Sequence, residues 1–290
     1  MSESVMFVDS EKKATVRSWF DKFREKAPVG VEERDVDTSF GRTHALLAGP
    51  ADAPPLVLLH GAMATSAHAL PELGPLLESR RVAVLDVVGQ SVMSEDRRVD
   101  LADDSYGKWV GEATKALGID RFDLYGVSWG GFVAMRAANL LGDRIKKLVL
   151  LVPAGLVSGS AWDGFVKMGW PMMMFKAFPN EVRLQRLVDG LCTTNDPDWT
   201  SYFGDAFRCY RMDMRIPPLA KPEQVSNIKC PVLVFGAEHD VSFPGARLIA
   251  RVNELLPHAE VELLEGSKHC PPTTDSFRTK MAKRIEAFLG

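Results

Sequence analysis

The stretch LYGVSWGGF, residues 124–132, sets Ser128 between Gly126 and Gly130, after an apolar run and before a helical segment. A serine on a very tight strand-to-helix turn takes a strained backbone conformation, and its hydroxyl stands clear of the sheet. Side chains two residues to either side would collide there, so glycine is required at both places. Gly131 lets the following helix approach the neighbouring strands. The start of that helix offers unpaired N–H groups and a positive dipole end, which suit a developing oxyanion. The chemistry implied is attack of a hydroxyl on a carbonyl carbon. A neutral hydroxyl is a weak nucleophile, so it needs a base, and the base needs a carboxylate to orient it.

Two later segments supply these groups. GAEHD (236–240) closes one apolar run and EGSKH (265–269) closes the next. His269 is the expected base and Asp240 the expected acid, because open α/β sheets place their sites at the C-terminal ends of strands. Glu238 is the competing carboxylate, and His239 between the two is expected to face solvent. An earlier run, PLVLLHG (55–61), ends at His60-Gly61. The backbone N–H groups of Ala62 and Trp129 are the expected oxyanion donors, with Met63 as the alternative to Ala62. His60 is expected to brace its loop, and Gly61 to permit close backbone approach. Cys270, beside His269, is expected to pack rather than react.

These residues need a scaffold that brings distant strand ends together. Continuous Val/Leu-rich runs at 55–61, 81–89, 122–128, 146–155, 231–240 and 261–269 predict strands buried on both faces, the mark of a parallel sheet. Helical segments at 67–79, 105–117, 130–142, 244–256 and 275–289 alternate with them. This pattern predicts an α/β fold with a doubly wound, mostly parallel sheet. Ahead of it, residues 9–26 carry Val16, Trp19, Phe20 and Phe23 on one helical face. TSFGRTHALLAG (38–49) reads as two strands about a turn at Gly41. The alternation fails between 157 and 226, where short helices broken by Pro171, Pro179 and Pro197 are expected. Such a length is too great for an ordinary connection. The division is therefore a core of residues 1–156 and 227–290 with an inserted helical unit of 157–226.

The chain has 290 residues, 46% of them hydrophobic, enough to bury a large core, and a formal net charge of −3. Interspersed charges give no footprint for nucleic acid or an anionic membrane. The start lacks a basic region followed by an apolar one, so no secretory signal is read and a cytoplasmic protein is expected. No stretch nears the roughly 18 apolar residues of a membrane span. Cys192, Cys209, Cys230 and Cys270 are widely spaced and expected to be free thiols. The sequence carries no dinucleotide fingerprint, phosphate-binding loop or HExxH pair, and no cofactor or metal is expected.

Together, HGA after one strand, DVVGQSVMS after the next, GVSWGG, GAEHDVSFP and EGSKHC resemble the α/β-hydrolase superfamily over about residues 38–290. The arrangement is similar to small bacterial carboxylesterases with a helical lid. The resemblance implies a Ser-acid-His order, met by Ser128, Asp240 and His269, and a lid formed by 157–226. It departs from the pattern at the loop after Asp86, which lacks the fuller glycine–serine motif, and at Ala237, where glycine is usual. The inserted unit is rich in Trp, Phe and Met. Met63, Trp170 and Met173 are taken as substrate contacts, since methionine adapts to irregular apolar ligands. The expected reaction is hydrolysis of a small to medium, mainly apolar ester through an acyl-enzyme, by a monomer or homodimer. Carbon–carbon bond hydrolysis, perhydrolysis and a non-catalytic binding role remain as alternatives. A serine at the turn disfavours the aspartate-nucleophile dehalogenases.

Overall fold

The computed structural model describes residues 4–211, 213 and 215–290. The chain begins with α1 (Ser10–Arg24) and the strands β1 (Val31–Thr38) and β2 (Gly41–Ala48). Then come β3 (Pro55–Leu59), α2 (Ser66–Leu73), α3 (Leu76–Ser79), β4 (Arg81–Leu85), α4 (Ser105–Ala116), β5 (Phe122–Val127), α5 (Trp129–Leu141) and β6 (Ile145–Leu151). A helical segment follows: α6 (Ala161–Gly164), α7 (Trp170–Ala177), α8 (Glu181–Asp189) and α9 (Pro197–Cys209). The chain closes with β7 (Val232–Ala237), α10 (Gly245–Leu255), β8 (Glu260–Leu264) and α11 (Asp275–Leu289).

The strands form one eight-stranded sheet in the order β1-β2-β4-β3-β5-β6-β7-β8. β1 and β2 are antiparallel, β2 joins β4 antiparallel, and all other pairings are parallel. The continuous apolar runs are explained by cores on both faces. On β3, Val57 and Leu59 enter one apolar cluster while Leu56 and Leu58 enter the other. On β7, Val232 and Val234 go one way and Leu233 and Phe235 the other.

Three local expectations are corrected. The first strand of the hairpin reaches back to Val31, because VEERDVDT is an edge strand and can leave charged side chains in water. The helix expected at 67–79 divides at Gly74, whose φ is +47°. Pro171 does not break its helix. A π-helical turn, Phe165–Gly169, joins α6 to α7 just before it, and the Trp170 N–H reaches back to the Phe165 carbonyl. The wider turn relieves the clash that proline makes with the preceding turn of an α-helix.

Candidate active site

Ser128 follows the last residue of β5 and precedes α5, with φ +52° and ψ −113°. Such a conformation in a non-glycine residue costs about 1–3 kcal/mol and persists only where the surroundings enforce it. Here the Ser128 N–H donates to Leu151 O at 2.9 Å, and its carbonyl accepts from Gly131 and Ala154. A Cβ on Gly126 would stand 2.5 Å from the Gly130 carbonyl oxygen, and one on Gly130 would stand 2.1 Å from that of Leu59. Both glycines are therefore sterically required. At Gly61 an added Cβ would meet Ser128 Cβ at an ordinary 3.5 Å, so close approach is not what selects glycine there.

The strand ends converge on this serine. Ser128 Oγ lies 3.0 Å from His269 Nε2, and His269 Nδ1 lies 2.7 Å from Asp240 Oδ2. The other carboxylate oxygen of Asp240 accepts the N–H groups of Ser242 at 2.7 Å and Phe243 at 3.0 Å. Burial works against the charged form of both groups, yet their mutual charge and hydrogen bond prevail. His269 is held above its usual 6.5 and Asp240 below its usual 3.8. Glu238 instead accepts from Gly266 N at 2.8 Å, and the His239 side chain is exposed. The loops that carry the acid and the histidine are tied by His239 N–H to Ser267 O at 2.8 Å.

The loop from His60 to Thr65 faces the serine. The Val87 N–H donates to His60 Nε2 at 2.9 Å, which puts the His60 proton on Nδ1, 2.7 Å from the Gly61 carbonyl. Burial lowers its pKa, so it braces the loop as a neutral ring. Among the described residues, the Ala62 and Trp129 N–H groups have no hydrogen-bond partner in the protein. Met63 has φ +56°, and its carbonyl accepts the hydroxyl of Tyr202 from α9. The inserted helices thus touch the loop directly. Behind it, buried Asp86 accepts Ser66 N–H at 2.8 Å, Ser66 Oγ at 2.5 Å, Ser91 Oγ at 2.6 Å and His44 Nδ1 at 2.7 Å. Sequence reasoning missed Tyr202 and this Asp86 cluster. Asp86 and His44 carried a signal, as polar residues within or ending apolar strands, whereas nothing in the sequence pairs Tyr202 with Met63.

A cavity of about 460 Å³ opens over Ser128 and His269, with largely apolar walls. Of the three residues taken as substrate contacts, Met63 lines it and Trp170 and Met173 do not; the latter are 51% and 57% exposed. Met168 and Met172 line it instead, because residues four apart share a helix face and Trp170 and Met173 lie off that face. Cys192 and Cys270 are also wall residues, and all four cysteines are free. Contact with Cys192, then burial, pushes the Cys270 thiol well up, which keeps it protonated and unreactive. Among the described residues, no group of three or more His, Cys, Asp or Glu is placed to hold a metal ion. Nor is any helix long and apolar enough to cross a membrane.

Comparison with known proteins agrees with this fold. The family profile described as alpha/beta hydrolase fold matches residues 54–184. A Bacillus subtilis protein named uncharacterized carboxylesterase nap is 24% identical over 257 residues, covering 83% of this chain and 82% of that protein. Carboxylesterase YbfK of the same organism is 22% identical, covering 93% and 92%. The crystal structure of naproxen esterase from Bacillus subtilis superposes with a TM-score of 0.83 at 20% identity, over 97% of this chain and 99% of that one. With this sheet order, this profile match and these relatives, the chain has the α/β-hydrolase fold and is a carboxylesterase-like hydrolase.

Proposed function

We propose that the protein cleaves small to medium, mainly apolar carboxylic esters through an acyl-enzyme. The observation that carries this reading is the line from Asp240 through His269 to Ser128 Oγ, ending at the mouth of an apolar cavity. Ser128 attacks the carbonyl carbon as His269 Nε2 takes its proton. Asp240 holds the imidazole by Nδ1 and stabilises its charged form. The negative oxygen that develops is met by the N–H groups of Ala62 and Trp129; such a donor typically contributes about 3–4 kcal/mol. His269 returns the proton to the leaving alcohol, and water then releases the acid by the same steps in reverse roles. The helices within 157–226 act as the lid, with Met63, Met168 and Met172 shaping the acyl or alcohol site.

The names of the two Bacillus relatives support ester cleavage over other uses of the same residues. The test is a panel of nitrophenyl esters of rising acyl length, run beside a diketone of the ring-cleavage type. Turnover of the esters, with an optimum at short to medium length, is expected. Preference for the diketone would replace the ester reading with carbon–carbon bond hydrolysis.

A further inference from the structure

The cavity does not stop at the serine. It continues down the face of the sheet between β5 and the helices α2, α3 and α11, past Leu58, Leu76 and Ile285. On β5, Tyr125 and Val127 point to that face, because alternate residues share a side. Tyr125 lies three residues before Ser128, about 10 Å along the strand. It is 6% exposed, and the little surface it keeps belongs to the cavity wall. Among the described residues its hydroxyl has no hydrogen-bond partner. A buried tyrosine ordinarily finds one, so an unpaired phenol in a largely apolar channel is a group kept for a ligand.

We propose that Tyr125 is a specificity residue that donates its hydroxyl to a neutral oxygen in the remote part of the acyl group, an ether, ketone or hydroxyl. This rests on the ester-hydrolase reading and names the acyl class for that site. The surroundings select a neutral acceptor. Glu72 lines the same end of the cavity, with its carboxylate held by Arg278 at 2.8 and 2.9 Å. Arg278 is thereby satisfied, and a second carboxylate would meet apolar walls and the charge of Glu72. Burial, and then that charge, keep the phenol protonated, so it remains a donor throughout the ordinary pH range. The oxygen has to lie far from the ester carbonyl, since the strand separates the two groups.

The test reads binding of product acids, which does not depend on turnover. Nonanoic acid is compared by titration calorimetry with acids of equal length in which an ether oxygen replaces one methylene at successive positions. The wild-type protein should bind one oxa-acid, with its oxygen in the remote half, about three- to tenfold more tightly than nonanoic acid. Tyr125→Phe should abolish that preference while nonanoic acid binds as before. If no oxa-acid is favoured at any position, or if Tyr125→Phe keeps the preference, the proposal is wrong. Esters that are cleaved with no such preference would overturn the Tyr125 role alone. Acids that bind with the preference while no ester turns over would overturn the hydrolase reading.

Discussion

Among its described residues the molecule holds two clusters of serine, histidine and aspartate, and they differ in which residue stands in the middle. In one, His269 lies between Ser128 and Asp240, each ring nitrogen facing one partner. In the other, Asp86 lies between Ser66 and His44, and both side chains engage the same carboxylate oxygen. The first permits a proton to pass from hydroxyl to imidazole. The second gives Ser66 an acceptor that has no reason to take its proton, because Asp86 is held below 3.8 by His44 and its other partners in spite of burial. Position separates them as well. Ser128 sits at a strained turn on the cavity wall, while Ser66 opens an ordinary helix and is buried, as are Asp86 and His44. Residue type alone is therefore a poor guide to chemistry. The order of contacts and access to a substrate decide it.

The comparison can be broken by exchanging the acids. Asp240→Asn should leave the fold intact and lower kcat by about 10³–10⁴-fold, since the imidazole then takes the wrong tautomer. In the native protein the His269 ring should titrate above 6.5, because the Asp240 charge favours its protonated form. Activity should fall on the acid side with that midpoint. In Asp240→Asn the midpoint, followed by NMR of the ring, should move down. A midpoint unmoved by the exchange would mean that Asp240 does not govern the base.

Removing the other acid should act on stability. Asp86→Ala removes the buried acceptor of His44 Nδ1 and of the Ser66 and Ser91 hydroxyls and should cost about 3–5 kcal/mol of unfolding free energy by urea denaturation. The folded carboxyl titrates below its unfolded value of 3.8, so its contribution is complete above that pH and is lost as pH falls through the folded pKa. The mutant should accordingly lose less stability than wild type on going below pH 3.8. Ser66→Ala, which removes one hydrogen bond of the cluster, should cost only about 1–2 kcal/mol and should leave ester turnover near the wild-type rate. Loss of turnover as great as that of Asp240→Asn would erase the distinction between the clusters.

The order and type of the main elements were legible because apolar runs and turn glycines act locally. Gly126 is demanded by contacts within the turn and Gly130 by the neighbouring end of β3, and the glycine spacing alone marks the tight turn around Ser128 within nine residues. Asp240 and His269 could be placed because each follows a strand whose end is marked in the sequence. The wall of the cavity was less accessible. Trp170 and Met173 lie off the face that Met168 and Met172 turn to the cavity, and which face turns inward is set by packing against the body rather than by composition. Tyr202 and Met63 are 139 residues apart and meet only through the packing of α9. The partnerless Tyr125 hydroxyl is visible only once the channel beside β5 is formed.

The central claim is that Ser128 is the nucleophile, activated by its line of contacts to His269 and Asp240. An organophosphonate bearing a nitrophenyl leaving group, added to the pure protein and followed by intact mass, addresses it directly. The account predicts one adduct per chain on wild type, mapped by peptide digestion to Ser128, and none on Ser128→Ala. An unmodified wild-type chain, or an adduct that persists in Ser128→Ala, would contradict it.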